Sequence, residues 1–320
     1  MNSENNSPTN NFTADKWPAV CVVMPTYNGK TRGFIDKAIQ SILKQTLAVK
    51  QILLIDDGST DGTIEYLMAK YPELEIHTKL NGGPSSARNY SLPFIKAEFV
   101  CFLDDDDEWV NTKIEHQVQY FRDHPDVDLL MSGMVFINSK SVKGNEVYPG
   151  EFGHTYPESL LGNGFLPPST LMFRHTLIQK VGSFNENYRL GEDYEYCIRC
   201  TQHGKIALLK EVNTLYRVHD SQSCLDLQKI DKNTLSLVGE FARKNSPELE
   251  QRVHEYYILG LVCRALVRKE FAFAWKHYRS AHIKLKLLKF ILRLTGVALT
   301  PFYRLKQCWR TWEYARVLKK

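Results

Sequence analysis

Four consecutive carboxylates, Asp104-Asp105-Asp106-Asp107, follow directly on the apolar run from Glu98 to Leu103. Side by side they repel one another, and at a strand end that repulsion costs stability unless a cation offsets it. Hard divalent cations such as Mg²⁺ and Mn²⁺ take carboxylate oxygens together with substrate phosphates, so a metal-bridged diphosphate is one natural occupant. Taken alone, the run reads equally as a solvated acidic loop leading into a helix. A second acidic turn, Asp56-Asp57-Gly58-Ser59-Thr60-Asp61-Gly62, closes the run from Gln51 to Ile55. By itself it is also a good tight turn and helix cap. The segment from Gly82-Gly83 to Arg88-Asn89 places backbone N–H donors and a cation near a helix start, which suits an anion. Neither the dinucleotide-binding nor the P-loop glycine spacing is present there.

These turns are positioned by alternating elements. Val20 to Met24 is a short apolar run ended by Pro25, as in a buried strand. Phe34, Ile35, Ala38, Ile39, Ile42 and Leu43 then recur at helical spacing. Gln51 to Ile55 is a second strand, and Thr60 or Asp61 is expected to cap the helix carrying Ile64, Leu67 and Met68. Leu74 to His77 reads as a weak third strand, Ser85 as the cap of the next helix, and Glu98 to Leu103 as a fourth strand. Such alternation predicts a parallel sheet covered by helices, with ligands beyond the carboxyl ends of the strands. Further on, Asp128 to Ile137 and Ser169 to Phe173 read as strands, Ser139 to Gly164 as a loop, and Gly191 to His203 as a helix with an acidic first turn. Beyond Asp226 the pattern is helical throughout.

Val22-Val23-Met24-Pro25-Thr26-Tyr27-Asn28, Asp56-Asp57-Gly58-Ser59-Thr60-Asp61-Gly62-Thr63, Ala87-Arg88-Asn89 and Leu103-Asp104-Asp105-Asp106-Asp107, in that order, resemble the signature of family 2 glycosyltransferases. The likeness continues through Gly182-Ser183-Phe184-Asn185-Glu186 and Gly191-Glu192-Asp193, and ends at Tyr216-Arg217-Val218-His219. It covers about residues 18 to 225. The resemblance implies an inverting enzyme with the GT-A fold, a Rossmann-like, mostly parallel α/β sheet flanked by helices. It implies that Pro25, Tyr27 and Asp57 hold the nucleotide base and that Arg88 helps hold the nucleotide. Asp104 would face the ribose or sugar, Asp106 would bind Mn²⁺ or Mg²⁺, and His219 would lie near the diphosphate and metal. Asp193 matches the catalytic base, with Glu192 as its neighbour. Asp105 stands where a small residue is more usual. It is grouped with the nucleotide-sugar contacts, and its charge leaves open which oxygens meet the metal. The Gln-X-X-Arg-Trp motif of processive members is not found, so transfer of a single sugar is expected. Relatives of this kind imply a UDP-sugar donor carrying glucose or galactose, and a lipid-linked acetamido sugar as acceptor in surface polysaccharide assembly.

Two other classes stay open at this level. A nucleotidyltransferase shares the nucleotide-binding α/β layout, but it would carry a Gly-rich basic loop after the first strand, where Pro25-Thr26-Tyr27-Asn28 stands. A non-catalytic sugar- or lipid-binding protein would not be expected to keep Asp57, Asp106 and Asp193 together.

The 320 residues carry 41 Lys+Arg against 36 Asp+Glu, with 43% hydrophobic residues, which excludes wholesale disorder. The charge is uneven. From Arg264 to Lys320 there are 15 basic and 2 acidic residues, leaving 26 basic and 34 acidic in the rest. Ile283 to Leu294 mixes lysines with leucines, and Trp309, Trp312 and Tyr314 follow among further cations, a composition that suits an in-plane helix on an anionic membrane. No nucleic-acid motif accompanies the charge. The expected organisation is a disordered leader over 1–17, a catalytic domain over 18–225 and a basic helical extension over 226–320. The polar leader is no signal peptide, no long apolar run exists, and seven cysteines form no dense framework, so a cytoplasmic protein peripheral on the inner membrane face is expected. Cys197-X-X-Cys200 with His203 has a metal-like spacing, but it falls in a predicted helix without a second pair.

Overall fold

In a computed structural model, residues 17–148, 167–188 and 191–219 are described, with isolated positions near 240. The leader, the segment 149–166 and nearly all of the basic extension lie outside the described residues.

Strand β1 (Val20–Thr26) is buried along its whole length. It pairs in parallel with β2 (Gln51–Asp56) on one side and β4 (Phe99–Phe102) on the other. Strand β3 (Glu75–Thr78) adds in parallel to the outer side of β2. Strand β8 (Leu171–Arg174) then runs antiparallel to β4, and β6 (Leu129–Asn138) antiparallel to β8. Strand β9 (Ile206–Val218) lies parallel to β6. The two-residue β5 (Glu108–Trp109) closes that edge, and β7 (Lys143–Val147) hangs on β6. The order is β3-β2-β1-β4-β8-β6-β9-β5.

Side-chain alternation divides the strands between two cores. Cys21, Val23, Leu53, Ile55, Val100 and Phe102 face one. Val20, Val22, Met24, Leu54, Phe99 and Cys101 face the other. Continuous apolar runs are what a sheet covered on both sides requires. The first core is closed by α4 (Pro84–Ser91), α6 (His175–Val181) and α7 (Glu192–His203) through Ala87, Leu177 and Tyr196. A short helix α1 (Gly29–Arg32) follows β1, and the second core is closed by α2 (Ile35–Leu43), α3 (Thr63–Lys70) and α5 (Lys113–Asp123) through Ile39, Leu67 and Val118.

The expected first four strands and the helices between them are present. Two expected caps are not. The α3 N-cap is Gly62 at φ 78°, and Asp61 instead accepts the Thr63 and Thr31 N–H groups. The α4 N-cap is Gly83, and Ser85 Oγ is buried without a hydrogen-bond partner among the described residues. A glycine already in the positive-φ region fills the position each turn demands. The expected strand Ser169 to Phe173 begins as a 3₁₀ turn, Pro168–Thr170, before β8. Strand β7 lies inside the expected loop 139–164. Strand β9 had no apolar alternation to announce it. Its middle carries Lys210 and Glu211, and its register with β6 shifts around Gly133. Cys197 and Cys200 are buried thiols of α7 whose pKa values burial raises, as expected of structural cysteines. Among the described residues no helix is long and apolar enough to cross a membrane.

Candidate active site

The parallel register brings the ends of β1 and β2 level, with Thr26 beside Asp56, and β4 ends one strand away. The turns leaving them meet. Asn28 takes a left-handed conformation at φ 53°, donates its N–H to Ser59 Oγ at 2.8 Å and accepts the Thr60 N–H on Oδ1 at 2.9 Å. Asparagine tolerates that backbone geometry better than other side-chain-bearing residues. Gly58 sits at φ 78°, where a Cβ would lie 2.9 Å from the Asn81 nitrogen, so the β2 turn can approach the segment before α4.

Asp57 accepts the N–H groups of Gly82 at 3.0 Å and Gly83 at 2.6 Å, and its carboxylate pairs with Lys79 at 2.7 Å. The backbone donors expected to await a ligand anion are therefore occupied by an anion of the chain itself. Asp57 still lines the cleft.

The four carboxylates of the run part company. Asp104 pairs with Arg88 at 2.8 Å. Asp105 is buried against Arg32 at 2.6 Å and also accepts the Thr26 hydroxyl. Asp106 Oδ2 lies 2.9 Å from His219 Nε2. Asp107 accepts the Arg217 N–H at 2.8 Å and is fully buried. Arginines offset the repulsion at Asp104 and Asp105, whereas burial, with Asp106 and Asp104 nearby, raises the Asp107 pKa well above the usual carboxylate range. Burial and the neighbouring carboxylates still push Asp105 up to about 7, against the pull of Arg32.

Arg88 is buried between two acids, Asp104 and Glu192, the latter at 3.2 Å. Together they keep its guanidinium charged, and its Nε has no hydrogen-bond partner among the described residues. Burial, then the charge of Asp193, pushes Glu192 up to about 7. Asp193 follows it at the start of α7. Burial raises its pKa while Arg88 opposes the shift, and its Oδ1 accepts the Tyr194 N–H at 2.7 Å.

One cleft of about 510 Å³ gathers Pro25, Tyr27, Asp57, Arg88, Asp104, Asp105, Asp106 and Glu192 in its wall, with Arg32 and Asn81. Tyr27 is 44% exposed there. Asp193 and His219 do not line this cleft. Each is one contact away, Asp193 beside Glu192 and His219 against Asp106.

Three supporting residues escaped sequence reasoning. Asn89 Nδ2 donates to the Phe184 carbonyl at 2.9 Å and to Glu186 at 2.8 Å, and its Oδ1 accepts the Phe184 N–H at 2.7 Å. Arg217, fully buried, donates to the carbonyls of Asp106 and Asn138, each at 2.8 Å, and to the Glu108 carboxylate. Its guanidinium lies 4.6 Å from the Phe34 ring, which in turn packs on His219. Arg32 is the counter-charge of Asp105. Asn89 and Arg217 stand inside quoted motifs, so their place there was the available signal. Arg32 had none.

The glycosyl transferase family 2 profile matches residues 21–182. An uncharacterized glycosyltransferase of Rickettsia typhi is 30% identical over 213 residues, 64% of this chain and 66% of that protein, so the chain spans just under two thirds of that relative. The Escherichia coli protein WfgD, a UDP-Glc:alpha-D-GlcNAc-diphosphoundecaprenol beta-1,3-glucosyltransferase, is 26% identical over 263 residues, 81% of this chain and 97% of that one. Among solved structures, the Pyrobaculum calidifontis mannosyltransferase PcManGT, in complex with GDP-Man and Mn²⁺, superposes with a TM-score of 0.59 at 18% identity, covering 95% of this chain and 86% of that one. That likeness is one of fold, the GT-A architecture. With half of its length inside the family profile and the ordered turns converging on one cleft, the chain belongs to glycosyl transferase family 2.

Proposed function

We propose that the chain is an inverting, non-processive glycosyltransferase. It moves one hexose from a nucleotide sugar, UDP-glucose or UDP-galactose, to a lipid-linked acetamido sugar during surface polysaccharide assembly. The observation that carries this reading is the meeting of Asp57, Arg88, Asp104, Asp106 and Glu192 around one cleft at the carboxyl edge of parallel strands. The donor and acceptor in the name of WfgD support the finer assignment.

Pro25 and the exposed face of Tyr27 hold the base. Asp57, with lone pairs beyond those its loop uses, accepts a base N–H. Arg88, buried beside Asp104 and Glu192 in the cleft wall, helps to hold the nucleotide. Asp104 takes a ribose or sugar hydroxyl. Asp106 and His219 offer a carboxylate and an imidazole in contact, and among the described residues no group of three or more metal-ligating side chains forms. That pair suits Mg²⁺ or Mn²⁺, which complete their shells with substrate phosphates and water. When bound, the cation would neutralise charge on the departing diphosphate.

Cleavage of the anomeric C–O bond develops oxocarbenium character, by analogy with glycoside hydrolysis. Arg88 stabilises the negative charge left on the diphosphate. The acceptor hydroxyl attacks the opposite face and gives its proton to Asp193, with Glu192 alongside. Their raised pKa values make them better proton acceptors than ordinary carboxylates. One inversion turns an α-linked donor into a β-linked product.

The test is nucleotide release from UDP-, GDP- and dTDP-sugars with Mn²⁺, with Mg²⁺ and with chelator, in the presence and absence of a short-chain lipid-diphosphate acetamido sugar. Release from one UDP-sugar, stimulated by acceptor and abolished by chelator, is expected. Full activity in chelator would overturn the metal assignment, and tight nucleotide binding with release from no donor would overturn the acceptor assignment.

A further inference from the structure

Asp105 has no part in the chemistry above, yet its side chain is buried beneath the turn after β1. Its Oδ2 accepts from Arg32 Nη2 at 2.6 Å and from the Thr26 hydroxyl. The same Nη2 donates to the Tyr27 carbonyl at 2.7 Å. Gly29 comes so close that a Cβ on it would lie 2.6 Å from Thr26 Oγ1 and 3.0 Å from Asp105 Oδ2. An ion pair, a hydroxyl and a close backbone contact therefore tie the middle of the acidic run to the turn that carries Tyr27. Tyr27, Arg32, Asp104, Asp105 and Asp106 all line the cleft described above.

We propose that Asp105 and Arg32 are a positioning pair that locks the turn over 26–28 to the segment over 104–106, so that nucleotide grip depends on the two jointly, through their contact with each other. The proposal rests on reading the cleft as a nucleotide-sugar site. Arg32 is the counter-charge of Asp105, and without it a buried acid between Asp104 and Asp106 would lose that partner. The single guanidinium also spans a carboxylate and a carbonyl, so it fixes the turn while it neutralises the acid. The Asp105 side chain is only 5% exposed, which leaves its carboxylate little access to a ligand.

The pair is tested by titrating UDP and GDP, with Mn²⁺ present, into wild type, Arg32→Ala, Asp105→Ser, the double variant and Gly29→Ala. Amide exchange over 26–32 and 104–107 is followed without nucleotide. Arg32→Ala should weaken nucleotide binding about tenfold, and the double variant should be no weaker than Arg32→Ala, because residues acting as a unit do not add. Gly29→Ala, which crowds Thr26, Ile35 and Asp105 together while keeping every charge, should weaken binding in the same direction. Exchange should quicken in both segments of Arg32→Ala and stay unchanged in α5. A double variant whose loss equals the product of the single losses would mean that each residue meets the nucleotide by itself, and would overturn the pair. Unchanged affinity and unchanged exchange over 104–107 in Arg32→Ala would overturn it too, whatever the melting temperature does. If wild type binds neither nucleotide, the nucleotide-sugar reading falls, while the exchange measurement still decides the pair.

Discussion

Glu192 and Asp193 are neighbours with different surroundings. Glu192 faces the cleft and is bound to Arg88, while Asp193 folds back on the first turn of its own helix. If Asp193 is the base, Asp193→Asn should lower turnover by about 10²–10⁴-fold while UDP binding by calorimetry stays unchanged. Loss of both together would make it a structural residue. Glu192 allows a separate test through pH. Its folded pKa of about 7 lies above the ordinary value of 4.5. Between those values the folded protein keeps a proton that the unfolded chain has released, so this group's contribution to stability falls as pH rises through the window and is level above it. Glu192→Gln cannot ionise. Urea unfolding at pH 5, 6, 7 and 8 should show wild type losing stability relative to the variant up to about pH 7. Parallel profiles would mean that Glu192 ionises like an exposed glutamate.

Helix α4 joins the two halves of the cleft wall. Successive residues, Arg88 and Asn89, reach Asp104 and Glu192 on one side and the turn at Phe184 and Glu186 on the other. Asn89→Ala removes three hydrogen bonds from that turn, each worth about 1 kcal/mol net. Unfolding free energy should drop by about 2–3 kcal/mol. Because the turn leads toward α7, turnover should fall further than nucleotide affinity; equal falls would confine Asn89 to general stability. Elements of this kind differ in how far sequence exposes them. The β1, β2 and β4 strands are continuous apolar runs ended by turn residues, and hydrophobic period alone finds them. Strand β9 is half-exposed and bulged, and α5 buries Lys113 and Gln117 among its apolar residues, so neither carries a clean period. Asp105 shows the same limit at the site. Its charge was legible, but its partner Arg32 lies 73 residues away, brought near only by the adjacency of β1 and β4.

At the scale of the whole molecule, charge is segregated along the chain. The basic excess of Arg264 to Lys320 opposes an acidic remainder, and the cleft itself is rich in carboxylates. A lipid-linked acceptor would have to be met at a membrane surface, and an acidic body gains nothing from an anionic bilayer. The interleaved lysines, leucines and tryptophans from Ile283 onward are the part of the chain suited to that surface, each cation near it adding on the order of 1 kcal/mol. Removing 283–320 should therefore release the protein from anionic liposomes in co-sedimentation, with unchanged turnover on a water-soluble acceptor analogue. High salt should release the full-length protein in part, because the attraction is screened while the apolar contact is not. Unchanged co-sedimentation after truncation would place the membrane contact elsewhere on the chain. Loss of turnover on the soluble analogue would mean instead that the basic segment helps to build the cleft.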